Sequence, residues 1–217
     1  MITFRRHLLD RALTRSIPLM KGKVLDIGGK KINKRGSFNP PFKKVESWYY
    51  LNPDFSTKPD YCCLAETIPF KDNSIDTIIM TEVIQYLPEP QKVLREIYRV
   101  LTCGGFCIVS SPYLVPIHGD YWADRYRFTA LRLKEMFEEA GFERIEIEPM
   151  GSLGAVLSDI LHVTLTYAQE GQKYLLSRVL RIIFRLSVTF FIWLDHLTET
   201  QQKYITIGYF LTAEKKG

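Results

Sequence analysis

The sequence predicts one α/β domain built on a mostly parallel sheet, with helices on both faces of the sheet. Short apolar runs of strand length alternate with helical patterns through the first half of the chain. This alternation is typical of parallel strands joined by right-handed crossovers. The chain has 217 residues, of which 46% are hydrophobic and 24% are charged. That length supports one ample core across 1–217 and leaves little room for a second.

The first strand is predicted at KVLDI, residues 23–27, and Gly28 and Gly29 follow it directly. Glycine suits a sharp turn that approaches a ligand, and ligands of open parallel sheets bind at the carboxyl ends of strands. The sequence around this turn contains neither GxGxxG nor GxxxxGK[ST], the patterns that bind phosphates. The turn therefore favours a pocket for an uncharged or cationic group, although an ordinary strand-to-helix turn would have the same residues.

The N-terminal region, 1–20, is predicted to form an amphipathic helix. Apolar residues recur at helical spacing over 3–16, arginines occupy the other side, and Pro18 ends the pattern. Residues 1–44 contain twelve Lys and Arg against two Asp, a net charge of +10, whereas the remainder of the chain carries −5. This basic front end is consistent with an anionic surface or substrate and equally with a solvated face. No secretion signal is visible, so the cytoplasm is the expected compartment.

The remaining elements follow from periodicity and from turn residues. A basic loop is expected over 30–47, where Lys, Gly, Asn and Pro are frequent. A helix is expected from Pro90 until Gly104 and Gly105 end it. The further strands are predicted at 48–51, 61–65, 76–80, 106–110 and 142–148.

A helical insertion is predicted over 151–200, because more than fifty residues separate the sixth strand from the last one. Helices are expected at 151–167 and 175–197. Arginines inside 175–197 and the shortness of its uncharged run argue against a membrane-spanning helix. Two alternatives remain: the helix caps the site, or it lies at a membrane interface with its arginines toward lipid phosphates.

Four segments in order carry a family resemblance. VLDIGG, YYLNPD, AETIPFKDNSIDTIIMTEVIQYL and VLREIYRVLTCGGFCIVSSP together resemble a class I S-adenosylmethionine-dependent methyltransferase, particularly the small bacterial type similar to enzymes of cell-surface polysaccharide gene clusters. The stretch PYLVPIHGDYWADRYRFT is similar to the substrate-side loop of that type. The resemblance covers 22–149, and the strand at 205–215 completes it. It implies a Rossmann-like sheet with an antiparallel last strand, and S-adenosyl-L-methionine as the cofactor.

The resemblance also assigns cofactor-binding positions. The acid of the first strand and the two glycines would shape the pocket for the methionine part, although Lys30 replaces the usual third glycine. An amide or acid after the second strand would bind the ribose, and an apolar residue after the third would pack on the adenine. The cofactor residues implied in this way are Asp26, Gly28, Gly29, Asn52, Asp54, Leu64, Ala65, Thr81 and Glu82.

A hydroxyl acceptor needs a base, and His118 is the candidate because the unperturbed pKa of histidine lies near neutrality. Asp120 would orient it, and Tyr126 and Arg127 would bind an oxygen or phosphate of the acceptor. A surface histidine is the alternative. No Cys or His cluster has metal-ligand spacing, so no metal is expected.

The predicted function is therefore methyl transfer to a hydroxyl of a saccharide, lipid-linked glycan or related small molecule. An alternative is a non-catalytic binding or scaffold protein, in which Lys30, Asn52 and Leu64 weaken cofactor binding. An RNA methyltransferase is less favoured because the aromatic catalytic tetrapeptide of base-methylating enzymes is missing from the sequence. No nucleic-acid partner is expected, whereas peripheral membrane contact through 175–197 and the basic N-terminal region is.

Overall fold

The computed structural model describes residues 3–32, 36–117, 123–167 and 189–217. Its strands are β1 (Lys23–Ile27), β2 (Ser47–Leu51), β3 (Ile75–Thr81), β4 (Leu101–Pro112), β5 (Phe142–Met150) and β6 (Gly208–Lys215). Its helices are α1 (Phe4–Arg15), α2 (Pro90–Val100), α3 (Ala130–Glu139), α4 (Leu153–Tyr167) and α5, whose described part is 189–197.

The described strands form one sheet in the order β2-β1-β3-β4-β6-β5. Strands β2, β1, β3 and β4 pair in parallel, and β6 runs antiparallel to both of its neighbours, β4 and β5. The predicted fold class is therefore confirmed: the sheet is Rossmann-like and mostly parallel, and its last strand is antiparallel.

The central strands are apolar on both faces because helices cover both faces. Leu25 and Ile27 of β1 belong to the cluster that includes the buried residues of α2 and α3, such as Ile97 and Phe137. Val24, which points the other way, packs with residues of α1 and α4 such as Leu13. The parallel strands all end at the same edge of the sheet, and helices from both layers border that edge.

The third predicted strand is wrong. Within 61–65, Tyr61 makes a single isolated bridge to Leu51. The side chain of Asp60 accepts a hydrogen bond from the backbone N–H of Tyr50 at 2.8 Å. This N–H on the open edge of β2 is therefore not available to pair with a further strand. The chain then turns, and Leu64 is left 62% exposed. Strand β2 is consequently an edge strand of the described sheet.

The predicted boundary between the helix and the next strand is also wrong. Helix α2 ends at Val100, and β4 begins at Leu101, before the two glycines. Gly104 has φ +71° and lies where the pairing of β4 with β3 shifts register. The glycines therefore provide an irregularity inside a strand instead of ending the helix.

The N-terminal helix and the basic loop have the predicted character. Thr3 caps α1, and its hydroxyl accepts a hydrogen bond from the N–H of Arg6 at 3.1 Å. Pro18 lies in a short 3-10 turn that follows the helix. The described residues between β1 and β2 form turns and contain no helix.

Two helices of the insertion pack closely on each other. A Cβ on Gly154 of α4 would lie 2.2 Å from the carbonyl oxygen of Phe191 and 2.4 Å from the backbone nitrogen of Asp195. The carboxylate of Asp195 also accepts hydrogen bonds from the N–H groups of Ser152 and Ala155, at 2.6 and 2.9 Å. It thus neutralises the amino end of α4. Part of the predicted 175–197 helix lies outside the described residues. No described helix combines the length and the apolarity needed to cross a membrane.

We expect Gly154→Ala to destabilise the protein by about 1–3 kcal/mol, because the new methyl group must push α5 away from α4. Urea unfolding of both proteins measures this difference. Thr164→Ala, on the exposed side of the same helix, is the matched control and should leave the midpoint nearly unchanged. Equal midpoints for Gly154→Ala and the unsubstituted protein would contradict the close packing.

Candidate functional site

The turn after β1 is tightly packed at both of its glycines, and its first position requires glycine. Gly28 has φ +79°, and a Cβ there would lie 2.3 Å from a methyl carbon of Val83. A Cβ on Gly29 would lie 2.3 Å from the carboxylate carbon of Asp26. The turn lies against Val83, just beyond the end of β3, and folds over the Asp26 carboxylate, so a side chain at the second position would have to displace that carboxylate.

Asn52 holds this turn from the end of β2. Its side-chain nitrogen donates to the carbonyl oxygens of Gly28 and Gly29, both at 3.1 Å. Its side-chain oxygen accepts from the N–H of Asp54 at 2.9 Å, and the residue is buried. Both amide hydrogens are therefore used inside the protein, and the neighbouring Asp54 carboxylate is more open to solvent.

A cavity of about 150 Å³ lies beside the turn, on the face of the sheet that α1 covers. Asp26 lies on its wall together with two cations, Arg6 from α1 and Lys30 from the loop. The indole N–H of Trp48, which also lines the cavity, is buried and has no hydrogen-bond partner among the described residues. The cavity wall thus carries both signs of charge, and one of its cations, Arg6, is also paired with the buried Asp10 of α1 at 2.8 Å. Its other lining residues are Leu13, Gly28, Gly29, Phe38, Pro40, Tyr50, Ile79 and Thr81.

The surroundings of Tyr50 and Asp54 shift the pKa of each of these residues. Burial raises the pKa of Tyr50 to about 12, and the carboxylates of Asp26 and Asp60 add to this effect. Its phenol is therefore neutral at physiological pH and can donate a hydrogen bond. Hydrogen bonds from Ser56 lower the pKa of Asp54, and the positive charge of Lys30 lowers it further by a smaller amount. Asp54 is accordingly an ionised acceptor at the end of β2.

Leu64 and Ala65 lie apart from this cavity. Ala65 is buried in the core cluster of the opposite face, whereas Leu64 is exposed. Phe55, which follows the end of β2, is 78% exposed. Two large apolar side chains are thus open to solvent beyond the second strand, where a planar ring could cover them.

Thr81 and Glu82 end β3, and they have different surroundings. Thr81 lines the cavity, whereas the carboxylate of Glu82 is bound to Arg5 of α1 at 2.7 Å and to the hydroxyl of Ser110 at 3.0 Å. Arg5 also lies 3.7 Å from Asp159 of α4. Helices α1 and α4 therefore reach the carboxyl edge of the sheet through charged side chains.

Arg127 is bound to a carboxylate beside the same edge. Its guanidinium makes two hydrogen bonds with Asp124, at 2.5 and 2.6 Å, and these bonds raise its pKa. The segment is anchored because Gln85 accepts hydrogen bonds from the N–H groups of Arg125 and Tyr126. The Tyr126 hydroxyl donates to the carbonyl of Pro88 at 3.3 Å. His118 and Asp120 lie outside the described residues.

Most of the predicted cofactor residues are brought together. Asp26, Gly28, Gly29 and Thr81 share one cavity, and Asn52 contacts the turn from below. The sequence analysis missed Arg5, Arg6 and Asp159. Their signal was weak, because an arginine on an amphipathic helix gives no indication of which carboxylate or cavity it meets.

Residues 50–109 match a family model described as a methyltransferase domain. That segment of the chain is therefore similar to a methyltransferase domain. Two curated relatives agree with this match. A rice (Oryza sativa subsp. japonica) chloroplastic 2-methyl-6-phytyl-1,4-hydroquinone methyltransferase 1 is 32% identical over 95 residues, which span 40% of this chain and 27% of the relative. A Listeria monocytogenes demethylmenaquinone methyltransferase is 33% identical over 110 residues, which span 37% of this chain and 46% of the relative. The chain thus spans less than half the length of either relative.

Solved structures share the fold of this chain. Haemonchus contortus phosphoethanolamine N-methyltransferase 2, in complex with S-adenosyl-L-methionine, superposes with a TM-score of 0.59 at 16% identity, covering 96% of this chain and 52% of that one. The [4+2]-cyclase SpnF superposes with a TM-score of 0.62 at 19% identity, covering 97% and 81%. The resemblance to class I methyltransferases is confirmed by the fold and by the domain match. The narrower likeness to polysaccharide-cluster enzymes stays a prediction.

We expect Asn52→Asp to destabilise the protein by ~1–3 kcal/mol, because a carboxylate would face the two glycine carbonyls and could not donate to them. Thermal or urea unfolding above pH 6 tests this directly. Lys44→Gln, which changes the charge of an exposed side chain outside the cavity, is the control and should unfold like the unsubstituted protein. A stable Asn52→Asp variant with improved cofactor binding would instead indicate a ribose-binding role at this position.

Proposed function

We propose that the protein is an S-adenosyl-L-methionine-dependent methyltransferase acting on a small molecule. The observation that carries this proposal is the cavity beside the Gly28–Gly29 turn, which places Asp26 together with Arg6 and Lys30. The amino-acid end of the cofactor is zwitterionic, and this cavity offers an opposite charge for each of its two ends. The glycine turn adds a backbone surface that any Cβ would obstruct.

The residues present fit the cofactor. Asp26 would accept hydrogen bonds from the ammonium group, and Arg6 and Lys30 would bind the carboxylate. Lys30, which stands where the family usually has a third glycine, would then contribute a positive charge that binds this carboxylate. Asp54 is the better ribose ligand, since the Asn52 amide hydrogens are already used in the turn. Leu64 would pack on the adenine, and backbone groups of Ala65, whose side chain is buried in the core, would supply the polar contact.

When bound, the cofactor supplies a methyl group attached to a positively charged sulfur. The protein positions the acceptor and excludes water from it. The carboxyl edge of the sheet, bordered by α1, can hold the acceptor in line and remove water from it. Tyr126 and Arg127 would bind the acceptor from the segment after β4. His118 would take the proton of a hydroxyl acceptor, with Asp120 orienting its ring.

The proposed acceptor is a hydroxyl of a saccharide, a lipid-linked glycan or a related small molecule. Charged side chains at the carboxyl edge, Arg5, Glu82, Asp124 and Arg127, favour a polar acceptor. A hydroquinone ring is the second candidate, because the names of the two curated relatives specify quinone-type substrates. A non-methylating role on the same fold is the remaining alternative, and SpnF is an example of a cyclase with this fold.

We also propose that the whole chain, 1–217, acts as one domain in the cytoplasm, at the inner face of the membrane. The insertion at 151–200 would cap the site through Asp159, which lies near Arg5. Its outer side would contact lipid, since Phe190, Trp193 and Leu197 are all more than half exposed. Flotation with anionic liposomes tests the membrane contact separately from the activity.

Calorimetry with S-adenosyl-L-methionine tests the cofactor proposal. We expect saturable binding, and we expect Arg6→Met and Lys30→Met each to weaken it about tenfold, since each removes a charge-assisted contact. Lys44→Met, which removes an exposed cation outside the cavity, should bind like the unsubstituted protein. Absence of any heat at millimolar cofactor would refute the proposal.

Transfer of a labelled methyl group tests the acceptor. The protein would be incubated with labelled cofactor and, in separate reactions, with cell-envelope precursors and with demethylmenaquinol. We expect label in the polar fraction and loss of turnover in His118→Ala with cofactor binding retained. Label confined to the quinol would establish the second candidate, and undiminished turnover in His118→Ala would rule out the proposed base.

A further inference from the structure

A second cavity, of about 550 Å³, lies against helix α1 and is bounded by the end of β5 and by α5. Its volume is within the range of roughly 300–1,000 Å³ that small-molecule pockets have. Arg6 and Leu13 of α1 line the cavity beside the glycine turn, whereas His7, Arg11 and Arg15 line this one. Because consecutive helical residues project about 100° apart, these two sets lie on opposite sides of α1. The helix therefore separates the first cavity from the second, which we call the α1–α5 cavity.

Cationic side chains of α1 form one wall of the α1–α5 cavity. His7, Arg11 and Arg15 are spaced four residues apart, which places them next to one another along one face of the helix. Arg11 is exposed, and within the part of the chain that the structure describes it makes no salt bridge. Arg15 is paired with Glu148 at 2.7 Å, and both of these side chains are exposed. An exposed pair of this kind stabilises the protein little, so an anionic ligand can replace the carboxylate.

The carboxylates that line the α1–α5 cavity, Glu148, Asp195 and Glu199, have other partners. Asp195 is buried and accepts hydrogen bonds from N–H groups at the start of α4. Glu148 is held by the arginine pair described above, and Glu199 lies 3.5 Å from Nδ1 of His196. None of these contacts involves Arg11. Its guanidinium is therefore left, among the described residues, as a donor to a ligand in the cavity.

Apolar side chains form the floor of the α1–α5 cavity. Leu8 of α1, the buried Met150 at the end of β5 and the exposed Ile192 of α5 all line it. Gly151 lines it as well, with φ +64°, and a Cβ there would lie 2.8 Å from a methyl carbon of Leu8. The cavity thus combines a cationic wall with an apolar floor. A hydrocarbon chain on that floor would cover apolar surface that otherwise contacts water.

We propose that the α1–α5 cavity binds an amphiphilic phosphate, that is, a phosphate ester that carries a hydrocarbon chain. The planar guanidinium of Arg11 can bind two phosphate oxygens at once, and the imidazole of His7 is a further donor. Arg15 joins them when the phosphate replaces Glu148. The hydrocarbon chain lies on the apolar floor. This site is separate from the cavity beside the glycine turn, and the inference does not depend on the proposed function.

Calorimetry in the absence of S-adenosyl-L-methionine tests this inference with three ligands. They are inorganic phosphate, dihexanoyl phosphatidic acid and dihexanoyl phosphatidylcholine, and both lipids are kept below the concentration at which they form micelles. We expect the phosphatidic acid to bind at least about tenfold more tightly than either of the others. Inorganic phosphate lacks the chains, and phosphatidylcholine carries a positive charge beside its phosphate.

Two variants test whether the α1–α5 cavity holds the ligand. Arg11→Met should weaken the binding of phosphatidic acid about tenfold, because it removes the charge-assisted hydrogen bonds to the phosphate. Ile192→Gln should weaken it about threefold, because the floor becomes less apolar. Arg95→Met is the matched control. It removes an exposed arginine of α2, on the other face of the sheet, and should bind like the unsubstituted protein.

Urea unfolding establishes that each variant is folded before its affinity is compared. Equal affinity for phosphatidic acid in Arg11→Met and in the unsubstituted protein overturns the inference. So does inorganic phosphate or phosphatidylcholine that binds as tightly as phosphatidic acid. A loss of binding in Lys30→Met but not in Arg11→Met places the ligand beside the glycine turn and also overturns it. Absence of any heat at millimolar phosphatidic acid overturns it too, whatever the result of the separate cofactor titration.

Discussion

The closeness of the Gly28–Gly29 turn to its neighbours is the constraint on which the rest of the site depends. Val83, Asp26 and Asn52 each occupy space or hydrogen-bonding groups that a side chain on the turn would need. These three residues come from the ends of β3, β1 and β2. The turn therefore fixes the relative positions of three adjacent strand ends, and the floor of the cavity follows from those positions.

Helix α1 supplies the second part of the arrangement. Arg5 and Arg6 are consecutive, and consecutive helical residues project about 100° apart. One of them reaches Glu82 at the end of β3, and the other lines the cavity next to Asp26. Asp10 anchors the loop to the same helix, since its carboxylate accepts hydrogen bonds from the N–H and the hydroxyl of Ser37. The helix thus connects the cavity, the loop and the edge of the sheet.

Much of the fold could be predicted because its signals are local. Apolar runs with turn residues located β1, β2 and β3, and helical spacing located α1 and α2. The strand predicted at 61–65 was wrong because the Asp60 side chain takes a backbone donor of β2 that a pairing strand would need. Local sequence patterns do not reveal this hydrogen bond. Gly104 was misjudged because a glycine can end a helix or relieve a strand, and the choice depends on the partner strand.

The site was predictable only where a motif names its residues. Asp26 and the glycines carry a recognisable spacing, and the structure brings them together with Thr81. Asn52 was assigned to a ligand, whereas its amide hydrogens are used within the protein. The role of Arg5 could not be predicted, because its partners Glu82 and Asp159 are distant in the chain and no sequence periodicity indicates that they are in contact.

The contact of Arg5 with Glu82 joins residues 77 positions apart, and α4 comes later still. A growing chain that leaves the ribosome would therefore present an arginine-rich helix long before the carboxylates that neutralise it exist. Contacts of such long range are entropically costly to close and form late in folding. The charge balance at this edge is then a feature of the finished molecule, because it forms only when α1, the end of β3 and α4 have come together.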